Sequence, residues 1–204
     1  TEARNEVRFE GSGTRGTTVR GRIAESRISV ATPASGAVAA VHLNPHVDFS
    51  LPQGQATPAD VRARSLSQPT ALAIDAAGGT LWVAAFGSAK VAALQVSTLA
   101  PGAFVPDAAR HVAVPAGPAG LALNATGSRL FVYSRIAHAV SIVDTAARAV
   151  LQTRPMFSPE AAPVRTGRQF LYDAMATSGN GTVACGSCHV FGDMDHLAWD
   201  LGDP

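Results

Sequence analysis

Two stretches of this chain align without a gap at an offset of 49 residues, and that internal repeat constrains the fold more than any other feature. Gln68 to Val96 runs onto Gly117 to Thr145, pairing Pro69 with Pro118, Leu72 with Leu121, Asp75 with Asn124, Gly78 with Gly127, Leu81 with Leu130, Trp82 with Phe131, Val83 with Val132 and Val91 with Val140. Each unit has alternating or short apolar runs broken by Asp-Ala-Ala-Gly-Gly or Asn-Ala-Thr-Gly, which reads as strand, tight turn, strand. A second strand pair follows in each unit: residues 90–96 with 111–114, and 139–144 with 148–153.

Four short strands in 49 residues is the rhythm of a β-propeller blade, whose repeat is about 40 to 50 residues. The 19 glycines and 13 prolines fit many turns and short strands. Arg27 to Val41 matches Ala139 to Thr153 with one insertion, so the tail of an earlier unit is also expected. The predicted fold is mainly β: about two and a half four-stranded blades, followed by the start of an α-helical cytochrome c-like domain. A propeller closes with about 4 to 8 blades, so the chain reads as a piece of a longer protein.

Phe131-Val132-Tyr133-Ser134 followed by Ala139-Val140-Ser141-Ile142-Val143-Asp144-Thr145 resembles the bacterial YVTN β-propeller repeat. The resemblance covers roughly residues 20 to 155. Its signature tetrapeptide is replaced by Trp82-Val83-Ala84-Ala85 in one unit and by Phe131 to Ser134 in the other. Trp82 and Phe131, at equivalent strand positions, are both expected to pack within blades.

Charge excludes some partners. Sixteen basic against fifteen acidic side chains leave a net charge of +1, which gives no bulk drive toward nucleic acid. At 47% hydrophobic residues the chain is too apolar for disorder, yet no uninterrupted apolar run is long enough for a transmembrane helix. The N-terminus lacks the charged start and apolar stretch of a signal peptide.

From about Pro155 the character changes. A Pro-containing connection precedes Val164 to Ala176, where Val164, Phe170, Leu171, Ala174 and Met175 share one helical face, predicting a short amphipathic helix that stops at Thr-Ser-Gly-Asn-Gly. The expected organisation is blades over 1–155, a linker over 156–163 and the start of a haem domain over 164–204.

That last assignment rests on Cys185-Gly186-Ser187-Cys188-His189, a C-x-x-C-H sequence of the kind that attaches c-type haem. Two thiols one helical turn apart can each form a thioether to a porphyrin vinyl group, and the next histidine is held beneath the iron as axial ligand. Half of a zinc site, a thioredoxin-like redox pair and chance occurrence are the competing readings. The sequence offers neither a second cysteine pair nor a βαβ unit to support the first two.

Gly167 to His189 resembles the opening of the first haem domain of bacterial di-haem cytochrome c peroxidases. Gly167, Phe170, Leu171, Tyr172, Asp173, Ser178, Gly179 and Gly181 occupy comparable positions, together with Cys185, Cys188 and His189. Met194 and His196 are sixth-ligand candidates by chemistry, but five or seven residues must then run from below the iron to above it, and a ligand beyond residue 204 or an open site is preferred. Asp193, Asp195 and Asp200 are read as a solvated loop before a Ca²⁺ site, and His42 and His46 as turn residues before a metal pair.

These readings point to covalently bound haem c, electron transfer in the periplasm or another exported location, and a redox partner protein or second haem domain. A peroxidase-like oxidoreductase, with catalytic residues unassigned, and a propeller scaffold without haem are the alternatives.

Overall fold

The computed structural model describes residues 2–3, 22–49 and 56–200. Parts of the expected blade region (1, 4–21 and 50–55) and the C-terminal 201–204 lie outside the described residues.

The architecture is mainly β, with several antiparallel sheets and few helices. Strands β1 (Glu2–Ala3) and β2 (Ala24–Glu25) pair, and β3 (Arg27–Thr32) forms a hairpin with β4 (Ala37–His42). After helix α1 (Ala59–Arg64) come β5 (Pro69–Ile74), β6 (Thr80–Ala85), β7 (Lys90–Gln95) and β8 (His111–Ala113), a four-stranded meander in sequence order. A second meander follows: β9 (Pro118–Leu123), β10 (Arg129–Ser134), β11 (Ala139–Asp144) and β12 (Ala149–Pro155). Each meander has the strand count and order of a propeller blade.

The repeat is preserved to the residue in the first three strands of each meander, whose bounds differ by 49 throughout. The tight turns are equivalent too: Gly78 and Gly127 both take φ of +70°, which costs glycine least. Divergence comes only at the fourth strand, reached through residues 96–110 in the first meander and through 145–148 in the second. The β3–β4 hairpin corresponds to β11–β12 without the insertion expected from sequence. Both have a first strand of six residues and a four-residue turn, with Gly36 (φ +69°) standing where Arg148 (φ +52°) stands.

One packing rule joins the sheets. Because side chains alternate across a strand, β6 sends Leu81 and Val83 to one face and Trp82 and Ala84 to the other. Leu81, Val83, Ala92 and Leu94 pack on Ile28 and Val41 of the hairpin, with Leu43, Leu66, Leu99 and Phe104. Trp82, Ala84, Val91 and Ala93 pack on Leu130, Val132 and Val143 of the second meander. Leu130 and Val132 are the repeat equivalents of Leu81 and Val83, so each unit lays the same face on its predecessor.

Two expectations are corrected here. Phe131 is not packed like Trp82: it is 39% exposed against 2%, because no described sheet covers the outer face of the second meander. The single amphipathic helix is instead two, α2 (Ala162–Tyr172) and α3 (Ala174–Thr177), broken at Asp173, whose carboxylate accepts from the Met175 and Ala176 amides and caps α3. Its apolar face is largely uncovered, with Val164 and Phe170 exposed and only Ala174 fully buried. Glu160, just before α2, ties it to the sheet. It accepts from His138 Nε2 at 3.0 Å and pairs with Arg168, and those two hydrogen bonds, Arg168 first, hold its carboxyl down at about 2.

Candidate functional site

Residues 185–187 form a single 3-10 turn that places both cysteines and the histidine together. The Cys188 and His189 amides both donate to the Cys185 carbonyl, at 3.2 and 2.9 Å, so Cys188 and His189 sit one turn beyond Cys185. Ser187 braces the turn: its amide donates to the Ala184 carbonyl at 2.8 Å and its Oγ accepts from the Ala184 amide at 3.0 Å. Both thiols are free, Cys185 exposed and Cys188 half-buried. Burial pushes the Cys188 thiol up, with Asp195 and Cys185 adding to the effect.

His189 is exposed, and its Nδ1 lies 2.9 Å from the Asp193 carbonyl oxygen. A carbonyl can only accept, so in the neutral ring Nδ1 carries the proton and Nε2 the lone pair, which is the arrangement a metal-ligating imidazole needs. The Asp193 contact brings residue 193 back to the Nδ1 edge of the ring.

Four of the other candidates, Asp193, Asp195, His42 and His46, are locally occupied. Asp193 Oδ1 accepts from the Met194 amide, and Asp195 accepts from the Leu197 amide and Trp199 Nε1. His42 Nδ1 and His46 Nε2 face the Ser26 and Val61 carbonyls, at 3.3 and 3.0 Å, and burial lowers the pKa of both rings. Among the described residues no group of three His, Cys, Asp or Glu side chains is arranged to hold a metal ion. A cavity of about 270 Å³, formed where 96–110 folds over β7 and lined partly by Phe104, Asp107 and Arg110, shares no residue with the Cys185 to His189 segment.

The segment is seated on the first meander. Tyr172, at the end of α2, meets Phe86 edge-on with ring centroids 5.5 Å apart, and Ser65 Oγ donates to the Asn180 carbonyl at 2.7 Å. Nothing in the sequence signals this seating, because Phe86 and Tyr172 are distant in the chain. The Asp193 carbonyl is invisible to motif reading for another reason: backbone atoms leave no residue signature.

No protein-family model matches the chain, and no curated protein matches it. Among solved structures, it is similar to a periplasmic gluconolactonase of Pseudomonas aeruginosa, at 18% identity over 66% of this chain and 36% of that one, with a TM-score of 0.43. It is similar to the hydrazine synthase of Kuenenia stuttgartiensis, at 21% identity over 52% of this chain and 27% of that one, with a TM-score of 0.38. A third is a dihydro-haem d1 dehydrogenase solved with its ligand, at 15% identity over 64% and 26%, with a TM-score of 0.38. The chain thus spans well under half of each, and these likenesses concern coarse β architecture alone.

Proposed function

We propose that this chain belongs to an exported c-type cytochrome in which Cys185 and Cys188 tether haem, His189 is the axial ligand, and the blades present the haem to a redox partner or second haem domain. The observation that supports it most is the orientation of His189, whose Nδ1 proton is held by the Asp193 carbonyl while Nε2 keeps its lone pair for a metal. The other groups fit as well. Both thiols are free on one turn, and Val190, next to His189 in the chain, is exposed apolar surface of the kind a porphyrin covers. When bound, haem supplies an iron that moves single electrons between Fe(III) and Fe(II). This chain's residues tether it and fix the imidazole tautomer.

A propeller interaction scaffold is the second reading, favoured by the uncovered apolar face that carries Phe131 and Tyr133. Intact mass and a pyridine haemochrome spectrum on chain made with the c-haem attachment machinery decide between them. The expected result is one added haem with a c-type band, lost when Cys185 and Cys188 are both changed to Ala. An unmodified mass for the parent chain overturns the cytochrome reading and leaves the scaffold.

A further inference from the structure

Two glycines 99 positions apart are kept bare by the same neighbourhood. A Cβ on Gly186, inside the C-x-x-C-H turn, would lie 2.5 Å from Tyr172 Cδ1, 2.7 Å from Cε1 and 3.2 Å from Gln68 Nε2. A Cβ on Gly87, in the turn after β6, would lie 2.8 Å from Gln68 Oε1, 2.9 Å from Ser67 Oγ and 3.0 Å from the Tyr172 carbonyl oxygen. A side chain at Gly186 would have to displace the Tyr172 ring, and one at Gly87 would have to turn the Gln68 and Ser67 side chains aside and press on the Tyr172 carbonyl. Gln68, between them, holds a left-handed backbone (φ +51°) that is uncommon for a residue with a side chain. Its backbone N–H donates to Ser26 Oγ at 3.2 Å.

We propose that Tyr172 is a positioning residue: wedged between the blade turn at Phe86-Gly87 and the backbone of Gly186, it makes the first meander the platform that fixes where the Cys185 to His189 turn sits. The contacts come from its ring carbons and its backbone oxygen, so the phenol hydroxyl is dispensable. What this does at iron rests on the haem reading above; the seating itself is a property of the chain alone.

The test uses the full chain in two arms. Without haem, the alkylation rate of half-buried Cys188 is compared with that of exposed Cys185. Gly87→Ala and Tyr172→Ala raise the Cys188 rate about tenfold, while Tyr172→Phe and Gly79→Ala, the latter in open space, stay within about twofold of the parent. If both Gly87→Ala and Tyr172→Ala keep the parent circular dichroism and the parent Cys188 rate, the platform is refuted. Should Gly87→Ala fail to fold, Tyr172→Ala, which lies outside the blade, decides.

With haem attached, Tyr172→Ala changes the low-temperature electron paramagnetic resonance spectrum of the ferric iron and Tyr172→Phe restores it. An unchanged spectrum in Tyr172→Ala overturns positioning at the metal. A parent chain that takes up no haem sinks the cytochrome reading, and the thiol arm still decides the seating.

Discussion

Asp75 and Asn124 hold the same post in successive repeats, each closing the first tight turn of its sheet with its own side chain. Asp75 accepts from the Gly79 and Thr80 amides at 2.9 and 3.0 Å, and Asn124 accepts from the Arg129 amide at 3.0 Å. Either residue changed to Ala leaves turn amides to water, and a loss of about 1 kcal/mol in each variant is expected from urea unfolding. Equal unfolding midpoints for the variants and the parent would contradict the role.

Leu130 is fully buried between the two meanders, whereas Leu151 on β12 is 55% exposed. Leu130→Ala leaves a cavity and lost contacts worth about 2–5 kcal/mol. Leu151→Ala stays within about 0.5 kcal/mol of the parent, as surface changes do. Chemical denaturation of the pair measures the stacking of one sheet on the other, and comparable losses would mean the sheets do not stack this way.

Part of the acid sensitivity should trace to His111, beside the smaller shares of His42 and His46. Its ring is largely buried, and neither nitrogen has a well-formed partner among the described residues, the Ala63 carbonyl giving only a weak polar contact. Burial first, and then the Lys90 charge, lowers its pKa from 6.5 to about 4. The unfolded chain therefore binds the proton more readily, and stability present above pH 6.5 is lost as pH falls toward about 4. In His111→Phe the slope of stability against pH over that window should flatten, which unfolding at several pH values would read directly.

Lys90 is the single lysine, and it donates from Nζ to the Ala63 and Ser65 carbonyls at 2.8 and 3.1 Å, at the end of α1. Burial brings its pKa down from 10.5 to about 8. An amine-directed acylating reagent, followed by peptide mass, should show half-maximal reactivity at Lys90 near pH 8. A midpoint near pH 10.5 would show the amine to be fully solvated.

Sequence made the repeat legible because strand periodicity and turn chemistry are local: Asp75, Gly78 and their partners at 124 and 127 mark the same turn twice. The C-x-x-C-H turn was legible for the same reason. Asp173 was misread as helix interior because its capping role depends on the backbone turning there, which the apolar spacing of Phe170, Leu171 and Ala174 does not reveal. The exposure of Phe131 and the approach of Tyr172 to Gly186 are relations between distant segments, and no local pattern carries them.

The fifteen-residue and four-residue routes to the fourth strand show where this architecture accepts foreign sequence. The two middle strands of each meander are hydrogen-bonded on both sides, so a length change within them would shift the register against both neighbours. The outermost strand answers to one neighbour only. A fluorescent reporter or affinity module grafted at 145–148 would therefore sit beside the edge strand β12 while the first three strands of the sheet keep their alignment.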